Sequence, residues 1–213
     1  MSRPLIAQVN LAALRSNLAR ARERAPGAQL LAVVKANAYG HGLKRILPAL
    51  GEADGLALIE LDAAIGLREK HYARRILLLE GFFEASELIE VSARRIAVVV
   101  HHSEQVRMLE AATNLSRPIE VFVKINTGMN RLGFRPGEVH RIVDRLSQAP
   151  SVAVMRFFKI GPARWTVISA TAKTASKIKS APIATQVHRR FRCFGELEVE
   201  TMSAGWFVGS IRT

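Results

Sequence analysis

The sequence predicts an α/β protein of about six parallel βα units, and three observations carry that expectation. Short apolar runs and helix-like stretches alternate six times, at intervals of roughly 20–30 residues. The runs are rich in leucine and β-branched residues and lack a polar alternating face, as strands buried on both sides do. The 213 residues are 49% hydrophobic and 23% charged, enough to bury one sizeable core. Parallel neighbours need right-handed crossovers, which the intervening helices supply. A doubly wound sheet and a barrel both satisfy this alternation. In either, ligands sit beyond the C-terminal ends of the strands.

Residues 11–24 open the pattern as an amphipathic helix, stopped by Ala25-Pro26-Gly27. Strands are expected at residues 30–34, 56–59, 76–79, 96–100, 119–125 and 152–155. Between them, residues 43–50, 60–72, 85–94, 103–114 and 137–149 carry apolar side chains at helical spacing. Ser86 and Ser103 stand where N-caps are expected.

After Met155 the alternation stops. The net charge of +13 is unevenly placed: residues 1–155 hold 21 Lys and Arg against 15 Asp and Glu, and residues 156–213 hold 10 against 3. Leucine occurs 21 times in the first part and once, as Leu197, in the second; no Asp follows Asp144. Leucine, aspartate and periodicity vanish together, as a change of reading frame would make them. The expected organisation is one unit over 1–155 and an atypical, basic, poorly structured segment over 156–213. Only residues 166–168 and 197–199 of that segment read as short strands.

Several classes are set aside by composition. One cysteine, Cys193, excludes a disulfide framework, and it reads as an ordinary free thiol. No run reaches the ~18 apolar residues of a membrane span. The first residues meet Asn10 and Arg15 too early for a signal peptide, so a cytoplasmic location without membrane contact is expected. His101 and His102 follow an apolar run, but adjacent histidines point apart and no carboxylate or thiol cluster accompanies them; no metal is expected.

The first strand ends in Val33-Val34-Lys35-Ala36-Asn37-Ala38-Tyr39-Gly40-His41-Gly42. A lysine closing a buried apolar strand is costly to desolvate while charged, which suits an amine to act as a nucleophile. Tyr39 offers a ring and a hydroxyl to the same region, and Gly40 and Gly42 let backbone approach a ligand closely. Read on these residues alone, a lysine snorkelling beside a glycine turn fits as well.

The string VVKANAYGHG closely resembles the pyridoxal-phosphate motif of alanine racemases. IEVFVKINTGMNRLGF, at 119–134, resembles that family's second signature, and LLLEGFF at 77–83 its third-strand segment. Arg3-Pro4, followed by a strand and the AQVNLAALRSN helix, is similar to its opening. The resemblance covers residues 3–155. It implies a TIM-type (βα)8 barrel, incomplete here at about six βα units, with the C-terminal β domain missing. It further implies a pyridoxal 5'-phosphate cofactor, alanine as the small-molecule substrate, interconversion of L- and D-alanine for peptidoglycan, and a head-to-tail homodimer.

Residue by residue, Lys35 matches the lysine that holds the cofactor and serves as one of two catalytic bases. Tyr39 matches the tyrosine on the cofactor phosphate. Arg131 matches the arginine that contacts the cofactor's phenolic oxygen and the substrate carboxylate, a task suited to a planar, always-charged fork. Met129 matches a methionine beside the substrate, or packs under its loop. Lys124 matches a lysine that many relatives carry as a carbamate, whose negative charge positions the arginine.

Departures begin after Met155. Arg156-Phe157-Phe158-Lys159 stands where the family places a polar residue and then a histidine. No arginine among Arg164, Arg189, Arg190 and Arg192 falls in a matching motif. With six strands, two unpaired sheet edges are expected, and weak or absent activity with them. The alternative reading is a single-domain pyridoxal-phosphate-binding barrel without racemase activity. The basic segment carries no recognisable nucleic-acid motif, so no nucleic-acid partner is expected.

Overall fold

The computed structural model describes residues 7–160, 165–169 and 208–212. Helix Leu11–Arg24 begins where the Asn10 side chain accepts hydrogen bonds from the Ala12 and Ala13 amides, both at 3.0 Å. Six strands follow: β1 (Ala28–Val33), β2 (Gly55–Leu58), β3 (Arg75–Leu78), β4 (Ala97–Val100), β5 (Ile119–Asn126) and β6 (Val152–Ile160). They pair side by side, all parallel, in chain order. Helices Leu61–Glu69, Glu87–Ala93, Ser103–Ala111 and Val139–Gln148 make crossovers between them. The six expected parallel strands are therefore present, joined by five crossovers and arranged as a barrel rather than a doubly wound sheet.

The two unpaired edges do not occur. Strand β7 (Trp165–Ser169) lies antiparallel on β6, and β8 (Val208–Arg212) lies antiparallel on β1 and parallel to β7, closing the ring. A reversal at β6–β7 follows from chain length. Only four residues separate the two strands, whereas a parallel return needs a crossover of a dozen or more. The weak signal at 166–168 falls within β7, while the expected strand at 197–199 lies outside the described residues. Strand β6 runs through Met155 without interruption and stays in register with β5 as far as Asn126 opposite Ile160.

The near-continuous apolar runs reflect two cores with the alternation of a pleated strand. One side chain in two points outward under the helices: Leu30, Leu56, Ile76, Val98 and Val121 pack there with Leu14, Leu67, Leu88 and Leu109. The others fill the barrel: Leu31, Ala57, Leu77, Ala97, Val99 and Phe122. Gly55 makes room inside, since a Cβ there would stand 2.5 Å from the Arg75 carbonyl oxygen and 2.7 Å from the Leu31 side chain. Below this layer lies a polar floor in which Arg75 reaches Gln29 and Glu120, and Arg156 reaches Glu120.

Ser86 occupies the expected N-cap position, without a side-chain cap bond, and the expected cap at Ser103 is corrected. Ser103 is the first helical residue; the cap is His102, whose Nδ1 accepts from the Glu104 amide at 3.2 Å. Ser86 bonds Glu84 rather than the helix. The Glu87 carboxylate instead accepts from the Phe83 and Glu84 amides, tying the preceding loop to its helix.

Candidate active site

The inward alternation of β1 and β5 fixes the site. On β1, Leu31 faces inward and Val33 packs with the same cluster, so Lys35 follows on the same side just past the strand's C-terminal end. On β5, Phe122 faces inward, so Lys124 does too. Two lysines thus converge on the C-terminal mouth of the barrel.

The backbone after Lys35 is unusual. Ala36, Asn37, Ala38 and Tyr39 all lie in the left-handed region, with φ from 51° to 57°, and Gly40 continues at φ 81°. The Ala38 amide bonds the Val34 carbonyl at 2.9 Å and the Gly40 amide bonds that of Ala36 at 3.0 Å, which makes one left-handed helical turn. Each L-residue so placed costs about 1–2 kcal/mol. Contacts from elsewhere hold it there. The Glu60 carboxylate accepts from the Ala36 amide at 2.8 Å, the Asn37 side chain accepts from the Leu43 amide at 2.8 Å, and His41 Nδ1 donates to the Ala38 carbonyl at 2.9 Å. Strain held by tertiary contacts beside a lysine is characteristic of functional sites. Tyr39 is part-buried on this turn, and desolvation raises its phenol above the ordinary value.

Lys124 is 5% exposed. Burial first, then the positive charges of Arg131 and Lys35, pull its ammonium down to about 8, with Glu80 opposing. Lys124 is therefore within electrostatic reach of both Arg131 and Lys35. Arg131 lies 3.8 Å from the Glu80 carboxylate on a loop that Asn126 organises by accepting from the Gly128 and Asn130 amides. Phe134 returns the loop to β5 by donating to the Lys124 carbonyl at 2.9 Å. Gly133, at φ 114°, permits that return, because a Cβ would meet the same carbonyl at 2.9 Å. Met129, on this loop, is 54% exposed.

Two residues at this mouth were given no role from the sequence, and a third, His101, was weighed there only as a metal ligand. Glu60 and Glu80 directly follow the apolar runs of β2 and β3, the positions where ligand-side groups sit, and that position was their available signal. His101, just after β4, places Nε2 3.1 Å from the Glu80 carbonyl, while its buried Nδ1 has no partner among the described residues. Burial lowers its pKa, and the charges of Lys124 and His102 add to the effect. Among the described residues no His, Cys, Asp and Glu cluster suits a metal, and no helix is long and apolar enough to cross a membrane.

Comparison with known proteins shows the family and the fold. Residues 9–196 match the family model of the alanine racemase N-terminal domain. An alanine racemase of Janthinobacterium sp. (strain Marseille) is 53% identical over 157 residues, covering 74% of this chain and 44% of that protein. One of Nitrosospira multiformis is 51% identical over 152 residues, covering 71% and 42%. The crystal structure of biosynthetic alanine racemase from Pseudomonas aeruginosa superposes with a TM-score of 0.71 at 42% identity, over 76% of this chain and 45% of that one. The chain thus spans less than half the length of the relatives it matches. With signature, barrel and family model in agreement over the same residues, the chain belongs to the alanine racemase family, through its N-terminal domain.

Proposed function

We propose that this chain supplies the lysine side of a pyridoxal 5'-phosphate-dependent alanine racemase site in the cytoplasm. The observation that carries the reading is the presentation of Lys35 by a strained left-handed turn, within electrostatic reach of Lys124, which also feels Arg131. The donor set suits the cofactor: three cations share one mouth with Glu80, and a dianionic phosphate would offset the repulsion that burdens Lys124. Bound there, pyridoxal phosphate would supply an electron sink for the charge left when an α-proton is removed.

Lys35 Nζ would hold the cofactor covalently and then take or return the α-proton on one face of the substrate. The Tyr39 hydroxyl would donate to the phosphate. The Arg131 guanidinium would bind the substrate carboxylate, with Met129 beside it. With its pKa at about 8, Lys124 is partly neutral at physiological pH, so its amine could add to carbon dioxide and release one proton to solvent, leaving a carbamate whose negative charge balances Arg131. Inversion needs a second proton-transfer group on the opposite face. Tyr72, the chain's other tyrosine, lines a cavity at the far end of the barrel. We assign the second role to no described residue; in a head-to-tail homodimer it would come from the partner.

One base on one face returns a proton to the side it came from. In D2O with pyridoxal phosphate, the 213-residue chain is therefore expected to exchange the α-hydrogen of one alanine enantiomer without interconverting the two, and Lys35→Ala is expected to abolish this. Rapid interconversion would mean that both bases lie in this chain. No exchange at all would favour the single-domain cofactor-binding barrel, a reading that the closure of the ring by β7 and β8 supports.

A further inference from the structure

A cavity of about 750 Å³ lies at the opposite end of the barrel, under the N-terminal ends of β3, β4 and β5. Its walls carry six arginines, Arg68, Arg74, Arg75, Arg94, Arg95 and Arg117, and one carboxylate, Glu120. The sequence builds this regularly: Arg74, Arg94-Arg95 and Arg117 precede three successive strands, and Arg75 opens the first of them.

The charges are not balanced locally. Glu120 pairs with Arg75 at 3.2 Å and also with Arg156, so it is committed to the barrel floor. Arg94 pairs with Glu90 at 2.6 Å and Glu69 at 3.6 Å. Asp54, whose pKa Arg74 helps to lower, is held by Arg22 at 2.8 Å. Arg68 and Arg74 donate to backbone carbonyls, which fixes their guanidinium groups without neutralising them. Arg95 and Arg117 are exposed and form no ion pair among the described residues. Four guanidinium charges thus face one concavity with no carboxylate salt bridge among them. Burial and Arg95 both lower the Arg68 pKa, as crowded cations would.

We propose that this cavity binds a small organic polyphosphate carrying three to four negative charges, of the nucleoside di- or triphosphate class. Planar guanidinium forks match phosphate oxygens bidentately. The volume lies within the ~300–1,000 Å³ of small-molecule pockets, and the concave shape suits a compact anion better than an extended strand. Val91, Ile96 and Pro118 supply an apolar wall for the organic part.

The test is calorimetric titration of the 213-residue chain with ATP, inorganic triphosphate and AMP. Binding is expected at one site and stronger for the triphosphates than for AMP; ATP above inorganic triphosphate would assign part of the affinity to the organic group, and equal affinities would assign it all to phosphate. Arg95→Gln/Arg117→Gln, both exposed, should weaken binding on the order of tenfold or more with an unchanged melting midpoint. Arg117→Glu should do the same by charge reversal. Binding that survives these changes but falls in Lys35→Ala would place the anion at the catalytic mouth and overturn the proposal. So would a chain that takes up a single-stranded oligonucleotide while ignoring triphosphate.

Discussion

Replacing Lys124 with methionine isolates the energetic consequence of burying a cation between two others. Lys124 is 5% exposed, and its ammonium lies at about 8 rather than the ordinary 10.5. At ~1.4 kcal/mol per pKa unit, keeping it charged in the fold costs up to about 3 kcal/mol. The sign follows from proton counts. Between pH 8 and 10.5 the unfolded chain holds this proton and the folded chain has released it, so wild-type stability rises with pH there. Below pH 8 both states hold the proton and the full penalty remains; above 10.5 neither does and the penalty is gone. Methionine fills a similar volume without charge. In carbon-dioxide-free buffer at pH 7, Lys124→Met is expected to be more stable by about 1–3 kcal/mol, or ~2–4 °C in melting midpoint per kcal/mol. The advantage should shrink from pH 8 upward and vanish near 10.5. Urea unfolding followed by circular dichroism across that range measures it. A variant less stable at pH 7, or a difference flat with pH, would refute the reasoning and mean that the ammonium is fully compensated in place.

Glu60→Ala removes the acceptor that holds the Ala36 amide in the left-handed turn. A loss of about 1–2 kcal/mol in urea unfolding is expected, together with slower cofactor trapping at Lys35; unchanged trapping would show that the turn holds itself. If the composition break near Met155 arose by a change of reading frame, another frame of the DNA downstream of codon 155 encodes a histidine after the sixth strand and, later, a β domain. Coding DNA with no such frame would contradict that account.

The barrel's first six strands were legible because burial on both faces leaves an unambiguous mark: runs such as LLAVV and IAVVV have no polar alternation to confuse them. Helix Leu11–Arg24 matches its expected bounds because Asn10 and Ala25-Pro26-Gly27 punctuate it locally. The turn at Ala36–Tyr39 was not legible. Of its residues only Asn37 favours the left-handed region, and the conformation is imposed by Glu60, 24 residues away from Ala36 in sequence. Closure by β7 and β8 was missed for a similar reason, since β8 pairs with a strand at the other end of the chain and no amphipathic helix pattern in the sequence before it announces it. At the site, Lys35, Lys124 and Arg131 came from motif and position together. Glu80, whose charge acts on Lys124, lies in the LLLEGFF segment but was given no role there.

In the proposed site, Lys35 is the residue presented to the cofactor. Incubation of the 213-residue chain with pyridoxal phosphate, borohydride reduction and peptide mapping by mass spectrometry tests it directly. The account predicts a pyridoxyl group on Lys35, lost in Lys35→Ala and retained in Lys124→Met. A label on Lys124 instead, or one spread over the exposed lysines and indifferent to Lys35→Ala, would contradict it.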